Sequence, residues 1–103
     1  MVFVNHILEE TEYLLKEAEG LTYDDLLHNE TLKRAFIRSL EIIGKASKNL
    51  SEPFKKKHAG IKWKEMAGLR DKLIHHYFGV NWKIVWDVIM NRIPELKNKL
   101  KAI

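Results

Sequence analysis

A chain of 103 residues, 46% apolar and 31% charged, has the balance of a soluble globular protein, and its length fits one domain over 1–103 with no room for a second. It contains no cysteine, which excludes disulfides, thiolate metal sites and cysteine nucleophiles and suits a reducing cytoplasm. The net charge is +4, with cations gathered from Lys45 to Lys72 and again at Lys97, Lys99 and Lys101, while the first third is acidic. That asymmetry permits a polyanion partner at one end; solvated helix faces are the plainer reading.

No apolar run approaches the roughly 20 residues that cross a bilayer. The start, Met1 to His6, lacks the basic opening and apolar stretch of a signal peptide. A soluble, cytoplasmic protein without a membrane partner is expected.

Apolar residues recur at three- and four-residue spacing almost throughout, which predicts helices. The first carries Val4, Leu8, Thr11, Leu15 and Ala18 on one stripe, with Phe3, Ile7 and Leu14 beside it, and stops at Gly20. Thr22 and Asp25 have capping-box spacing and predict a short turn through Leu26 and Leu27. Asn29 is placed to cap a long helix with the stripe Leu32, Phe36, Leu40, Ile43 and Leu50, in which Ser47 is a gap. Ser51 caps a basic turn with Pro53 near its first position and Phe54 as an anchor, ending at Gly60.

A third long helix is predicted from Trp63 to Phe78, broken by Gly79. Asn81 then caps a last helix with the seam Trp82, Val85, Ile89, Ile93, Leu96 and Leu100, in which Pro94 predicts a kink. No segment alternates like a half-buried strand. The expected fold is all-α, an up-and-down bundle of four to five helices. Trp82, Val85 and Trp86 cover more than one face of the last helix, which favours a homodimer over a wider monomer core.

The chemically informative stretch runs from Gly68 to Gly79 and holds Arg70, Asp71, His75, His76 and Tyr77. On a helix, Arg70 and Tyr77 are nearly eclipsed and Asp71 can touch His75. Arg70 and His75, however, differ by roughly 140°. Either the long arginine swings round, or a second copy completes the cluster across a dimer interface. A histidine can move a proton at neutral pH, and an arginine fork can hold a phosphate and the charge that grows on it. Together they suit metal-independent RNA cleavage, in which a base activates the ribose 2′-hydroxyl. Asp71 can orient His75 or stabilise its charge. Tyr77 can hydrogen-bond the phosphate or pack under a base. His76 is a second proton carrier or an exposed bystander. The structural alternatives are a surface ion pair for Arg70, a dipole contact for His75 and a core-edge position for Tyr77. His6, His28, His58, His75 and His76 offer no helical ligand pair completed by a carboxylate, so no metal or other cofactor is expected.

The stretch Arg70, four residues, His75, one residue, Tyr77 resembles the signature of the HEPN superfamily. The flanks resemble its HepT-like branch: Ile37 to Ala46, Ile61 to Arg70, Tyr77 to Val80, and the tail through Trp86, Ile93, Pro94 and Leu96. The resemblance covers nearly the whole chain. It implies a HEPN-like homodimeric bundle whose two motifs face one cleft, acting as an endoribonuclease toxin. Arg70 and His75 are then catalytic, with Asp71 and Tyr77 supporting. The implied antitoxin is a minimal nucleotidyltransferase (MNT) that adenylylates Tyr77. The family often has asparagine where this chain has Asp71. The alternative implied by the same resemblance is a non-catalytic module that binds a nucleotide or the nucleotidyltransferase.

Overall fold

Local capping signals decide where four of the helices begin. A computed structural model describes residues 2–75 and 79–103, with Ile74 and His75 described by their backbone. The first helix, α1, spans Val2–Ala18 and ends as the chain passes Gly20, whose φ of 73° suits a residue without a Cβ. The expected capping box then opens α2 (Tyr23–Leu27): Asp25 N–H donates to Thr22 Oγ1 at 3.0 Å, and Thr22 N–H donates to the Asp25 carboxylate at 3.0 Å. Asn29 caps α3 (Glu30–Lys48) by accepting from Leu32 N–H at 3.0 Å. Ser51 caps α4 (Glu52–Lys57), with Pro53 in its first turn. Phe54 anchors that turn as expected, lying against Trp63 and His58, while Trp63 Nε1 donates to the His58 carbonyl at 3.1 Å.

The third predicted helix departs from expectation. It is divided at Gly68 into α5 (Trp63–Ala67) and α6 (Leu69–Leu73) and ends five residues early. Ile74–His75 (β1) is extended and pairs antiparallel with Gly79–Val80 (β2), with His75 opposite Gly79. Asn81 N–H continues the pairing by donating to the Leu73 carbonyl at 3.0 Å. Gly79 has φ 79°, a left-handed conformation that suits a residue without a Cβ. A ladder two residues long is too short to show an alternating pattern, so the sequence carries no sign of it.

Asn81 caps α7 (Trp82–Asp87) through a bond from Ile84 N–H at 3.2 Å. A π-helical turn, Val88–Arg92, follows and leads directly into α8 (Ile93–Lys101). Two facts account for that wide turn. Pro94 has no N–H to give the Met90 carbonyl, and its ring crowds that oxygen in an α-helix. In addition, Val85, Ile89 and Ile93 are spaced four and four. At about 100° per residue this overshoots two turns by about 80°, and a wider turn brings Ile93 back under its neighbours.

The architecture is all-α apart from the two-residue ladder. The α1 helix packs against α3 and α8, and α3 also carries α5 and α6. Their shared core holds Ile7, Leu14, Phe36, Leu40, Ile43, Leu69, Val85, Ile89 and Ile93, all fully buried. The buried stripe of α1 is Val4, Ile7, Thr11, Leu14 and Ala18, so the expected stripe is turned: Leu8 and Leu15 are half-buried and Phe3 is 40% exposed. In α3, Ser47 is no gap but fully buried. The α7 tryptophans find cover within the chain, Trp86 beside Tyr23 and Trp82 beneath Lys33 Nζ at 4.9 Å. Among the described residues no helix is long and apolar enough to cross a membrane.

Candidate functional site

One small residue and two buried leucines bring the site elements together. At Gly44 of α3 an added Cβ would lie 3.3 Å from the Met66 carbonyl and 3.6 Å from that of Ala67, so α5 rests directly on the α3 backbone. Leu69 and Leu73, four residues apart, are both buried and fix the rotation of α6. Arg70, Asp71 and Lys72 therefore face solvent between them.

That placement carries Arg70 over α3, where its Nε lies 3.2 Å from Glu41 Oε2. The Arg70 side chain stays 62% exposed and that of Glu41 30%. A guanidinium carries five N–H donors, more than one carboxylate takes up, so a fork oriented by Glu41 retains the capacity to bind a second anion. The carboxylate thus orients the fork without occupying all of it. Arg70 also lies at the edge of an open groove of about 600 Å³ formed by the start of α1, α3 and the α5–α6 segment.

Of the expected cluster, only Arg70 and Asp71 have described side chains. Arg70 and Asp71 are neighbours on α6, and Asp71 is exposed. The helical register expected for Asp71 with His75 does not continue, because α6 ends at Leu73 and the His75 backbone belongs to an extended pair; the pairing expected of Arg70 with Tyr77 lies outside the described residues. The His75 side chain, His76 and Tyr77 lie outside the described residues. Among the described residues no three His, Asp or Glu side chains gather to hold a metal ion.

Glu41 is the site residue that sequence reasoning missed. Its signal is present: Arg38, Glu41 and Lys45 are spaced three and four along α3, on one face of the helix. What the sequence alone could not give is that α6 crosses this face.

The structure is an all-α fold with Arg70 held at a groove, and comparison with known proteins gives its family. The chain matches the family described as Ribonuclease HepT-like over residues 7–103, and it belongs to that family. It is 50% identical to "Putative RNase TTE0752" of Caldanaerobacter subterraneus subsp. tengcongensis over 101 residues, 98% of this chain and 90% of that protein. To the "Probable ribonuclease HepT" of Thermococcus cleftensis it is 41% identical, covering 98% of this chain and 92% of the other. A Methanocaldococcus jannaschii protein named "Gamma-glutamylcyclotransferase and putative RNase MJ0434" is 42% identical over 102 residues, 99% of this chain but 46% of that protein. No solved structure matches the chain.

Proposed function

We propose that this protein is a metal-independent endoribonuclease, with Arg70 and His75 as its catalytic residues. The observation that carries the reading is family membership over residues 7–103 together with Arg70 presented, 62% exposed, at a groove. The His75 imidazole takes the proton of a ribose 2′-hydroxyl, and the freed oxygen attacks the adjacent phosphorus. The bond to the 5′ oxygen breaks, that oxygen takes up a proton, and a 2′,3′-cyclic phosphate remains. Arg70 holds the phosphate and the charge that develops on its oxygens. Asp71 and Tyr77 support the site, and no metal is needed to generate the nucleophile.

The active unit in this reading is a homodimer whose two motifs share one cleft, in the cytoplasm. Residues 1–103 form a single domain; a unit of the same length occupying 46% of a longer relative supports that division. The protein acts as the toxin of a pair, and an MNT-type nucleotidyltransferase silences it by adenylylating Tyr77. An adenylyl group there adds a negative phosphodiester and a bulky base within the motif, which repels and blocks RNA.

Growth of a bacterial host producing the protein alone tests the activity. Arrest with RNA breakdown in the parent, relieved by His75→Ala and Arg70→Ala at equal protein level, is the expected result, with cleavage by the purified protein unaffected by EDTA. Harmless growth of all three would favour the non-catalytic binding module. Intact mass after co-production with the cognate nucleotidyltransferase should show an AMP-sized gain that Tyr77→Phe abolishes.

A further inference from the structure

The groove beside Arg70 is larger than one phosphate requires, and its two walls differ in chemistry. One wall is α3, where Arg38, Lys45 and Lys48 line the groove and are exposed. With Glu41 they occupy positions i, i+3, i+7 and i+10, a single row along the helix. At 1.5 Å rise per residue, Arg38 lies about 4.5 Å along the axis on one side of Glu41, with Lys45 about 6 Å and Lys48 about 10 Å on the other. Since Glu41 holds Arg70, the motif arginine enters this row at its second position. Four cations thus face the groove against the one carboxylate already used by Arg70.

The other wall is the start of α1, which contributes Phe3 and His6. Phe3 is 40% exposed although it stands among apolar residues of a helix whose buried face points elsewhere. A cationic row opposite exposed rings is the arrangement that binds single-stranded nucleic acid: cations follow the backbone and flat rings stack on bases of any sequence.

We infer that this groove is a substrate track for single-stranded RNA, in which Arg38, Lys45 and Lys48 bind phosphates flanking the one at Arg70 and Phe3 stacks on a base. The inference rests on the ribonuclease reading for its substrate, and it extends the site beyond the motif. A substrate several nucleotides long then binds far better than a dinucleotide. The track residues act on binding and leave the bond-breaking step to Arg70 and His75.

The test uses the full chain carrying His75→Ala, so that RNA is bound without being cut, and a fluorescein-labelled ten-nucleotide RNA followed by anisotropy. Each phosphate contact with a single strand contributes about 0.7 to the slope of log affinity against log salt. Lys45→Gln with Lys48→Gln should lower that slope by about 1.4 and weaken binding about tenfold at 0.1 M salt. Phe3→Ala should weaken binding several-fold and leave the slope unchanged, because stacking releases no counterions. Lys56→Gln with Lys57→Gln, on exposed positions outside the groove, is the charge-matched control and should change the slope little. In the cleavage-competent chain, the Lys45/Lys48 variant should raise KM for the ten-nucleotide RNA by a larger factor than for a dinucleotide.

Equal slope loss in the groove variant and the control would overturn the track, because net charge alone would then explain binding. So would conversion of a dimer to a monomer by Phe3→Ala in sedimentation, which would assign the groove to a second copy of the chain. Cleavage and binding separate the two readings. RNA bound with the expected slopes but never cut by the parent would retain the track and sink the ribonuclease reading; RNA cut by the parent with unchanged slopes would do the reverse.

Discussion

Replacing Gly44 tests whether the close approach of α3 and α5 positions Arg70. Two terms oppose each other in Gly44→Ala. Alanine gains about 1 kcal/mol over glycine in a helix interior. Its Cβ meets the Met66 carbonyl at 3.3 Å, a crowded distance that asks the α5 backbone to give by a few tenths of an ångström. The two nearly cancel, so Gly44→Ala should stay within about 1 kcal/mol of the parent. Gly44→Leu keeps most of the propensity gain but drives three more carbons toward the Met66–Ala67 backbone, which lies against the rigid Leu69 core. Overpacking of this kind costs about 1–3 kcal/mol and can cost more where backbone must move. After the propensity gain, a net loss of about 1–2 kcal/mol remains, a fall of about 5–15 °C in melting temperature for a chain this size. Thermal and urea unfolding followed by circular dichroism measure the loss, and cleavage at a temperature where both variants are folded measures the site. Activity should fall more in the leucine variant than its unfolded fraction explains, because a displaced α5–α6 segment pulls Arg70 from Glu41. A leucine variant as stable and active as the parent would refute the reasoning.

Ser47→Ala should stabilise the protein by about 1 kcal/mol, since the buried Ser47 hydroxyl has no hydrogen-bond partner among the described residues; a lower urea midpoint would show that it has one. Glu41→Gln should lower KM for RNA, because a negative charge leaves the groove, and lower kcat severalfold, because Arg70 loses its orienting partner; steady-state kinetics with a ten-nucleotide RNA separate the two. Asp71→Asn removes an exposed negative charge beside Arg70 and should raise kcat/KM two- to fivefold, the effect of about 0.5–1 kcal/mol expected for a solvent-screened charge several ångströms from a phosphate. The bond from Thr22 N–H holds the Asp25 carboxyl below its ordinary 3.8, so its contribution to stability is complete above that pH and is lost as pH falls through the lower folded value. Thermal melts between pH 2.5 and 7 should therefore lose stability below about pH 4, and Asp25→Asn should flatten that dependence.

Four helix starts were legible because each rests on a local bond between neighbours in sequence. Thr22, Asn29, Ser51 and Asn81 all cap where their spacing to the next apolar residue predicts. Helix faces were legible only to about one residue, since Leu8 and Ile7 of α1 differ by 100° and both are apolar; the choice between them is made by α3 and α8, which the local sequence does not contain. The end of the third helix was not legible. Leu73, Ile74 and the residues after them carry no helix breaker before Gly79, and the extended state of β1 depends on pairing with β2, a gain that exists only once the chain has turned back. Within the candidate site, the motif singled out Arg70 in the sequence. Its partner Glu41 is 29 positions away in the chain, and only the crossing of α6 over α3 joins them.

The wide turn at Val88–Arg92 has a consequence for how this sequence tolerates changes in length. In an ordinary helix, removing one residue rotates everything beyond it by about 100° and exposes the buried seam. Here the helix already carries one residue more than α-helical winding accommodates between Val85 and Ile93. Removing Met90, which is exposed, together with Pro94→Ala would restore ordinary winding while Ile93, Leu96 and Leu100 keep their place under α1. The same deletion made in α3 would turn Arg38, Glu41 and Lys45 away from Arg70. Variation in chain length should thus be admitted in the last helix and refused in the one that carries the groove.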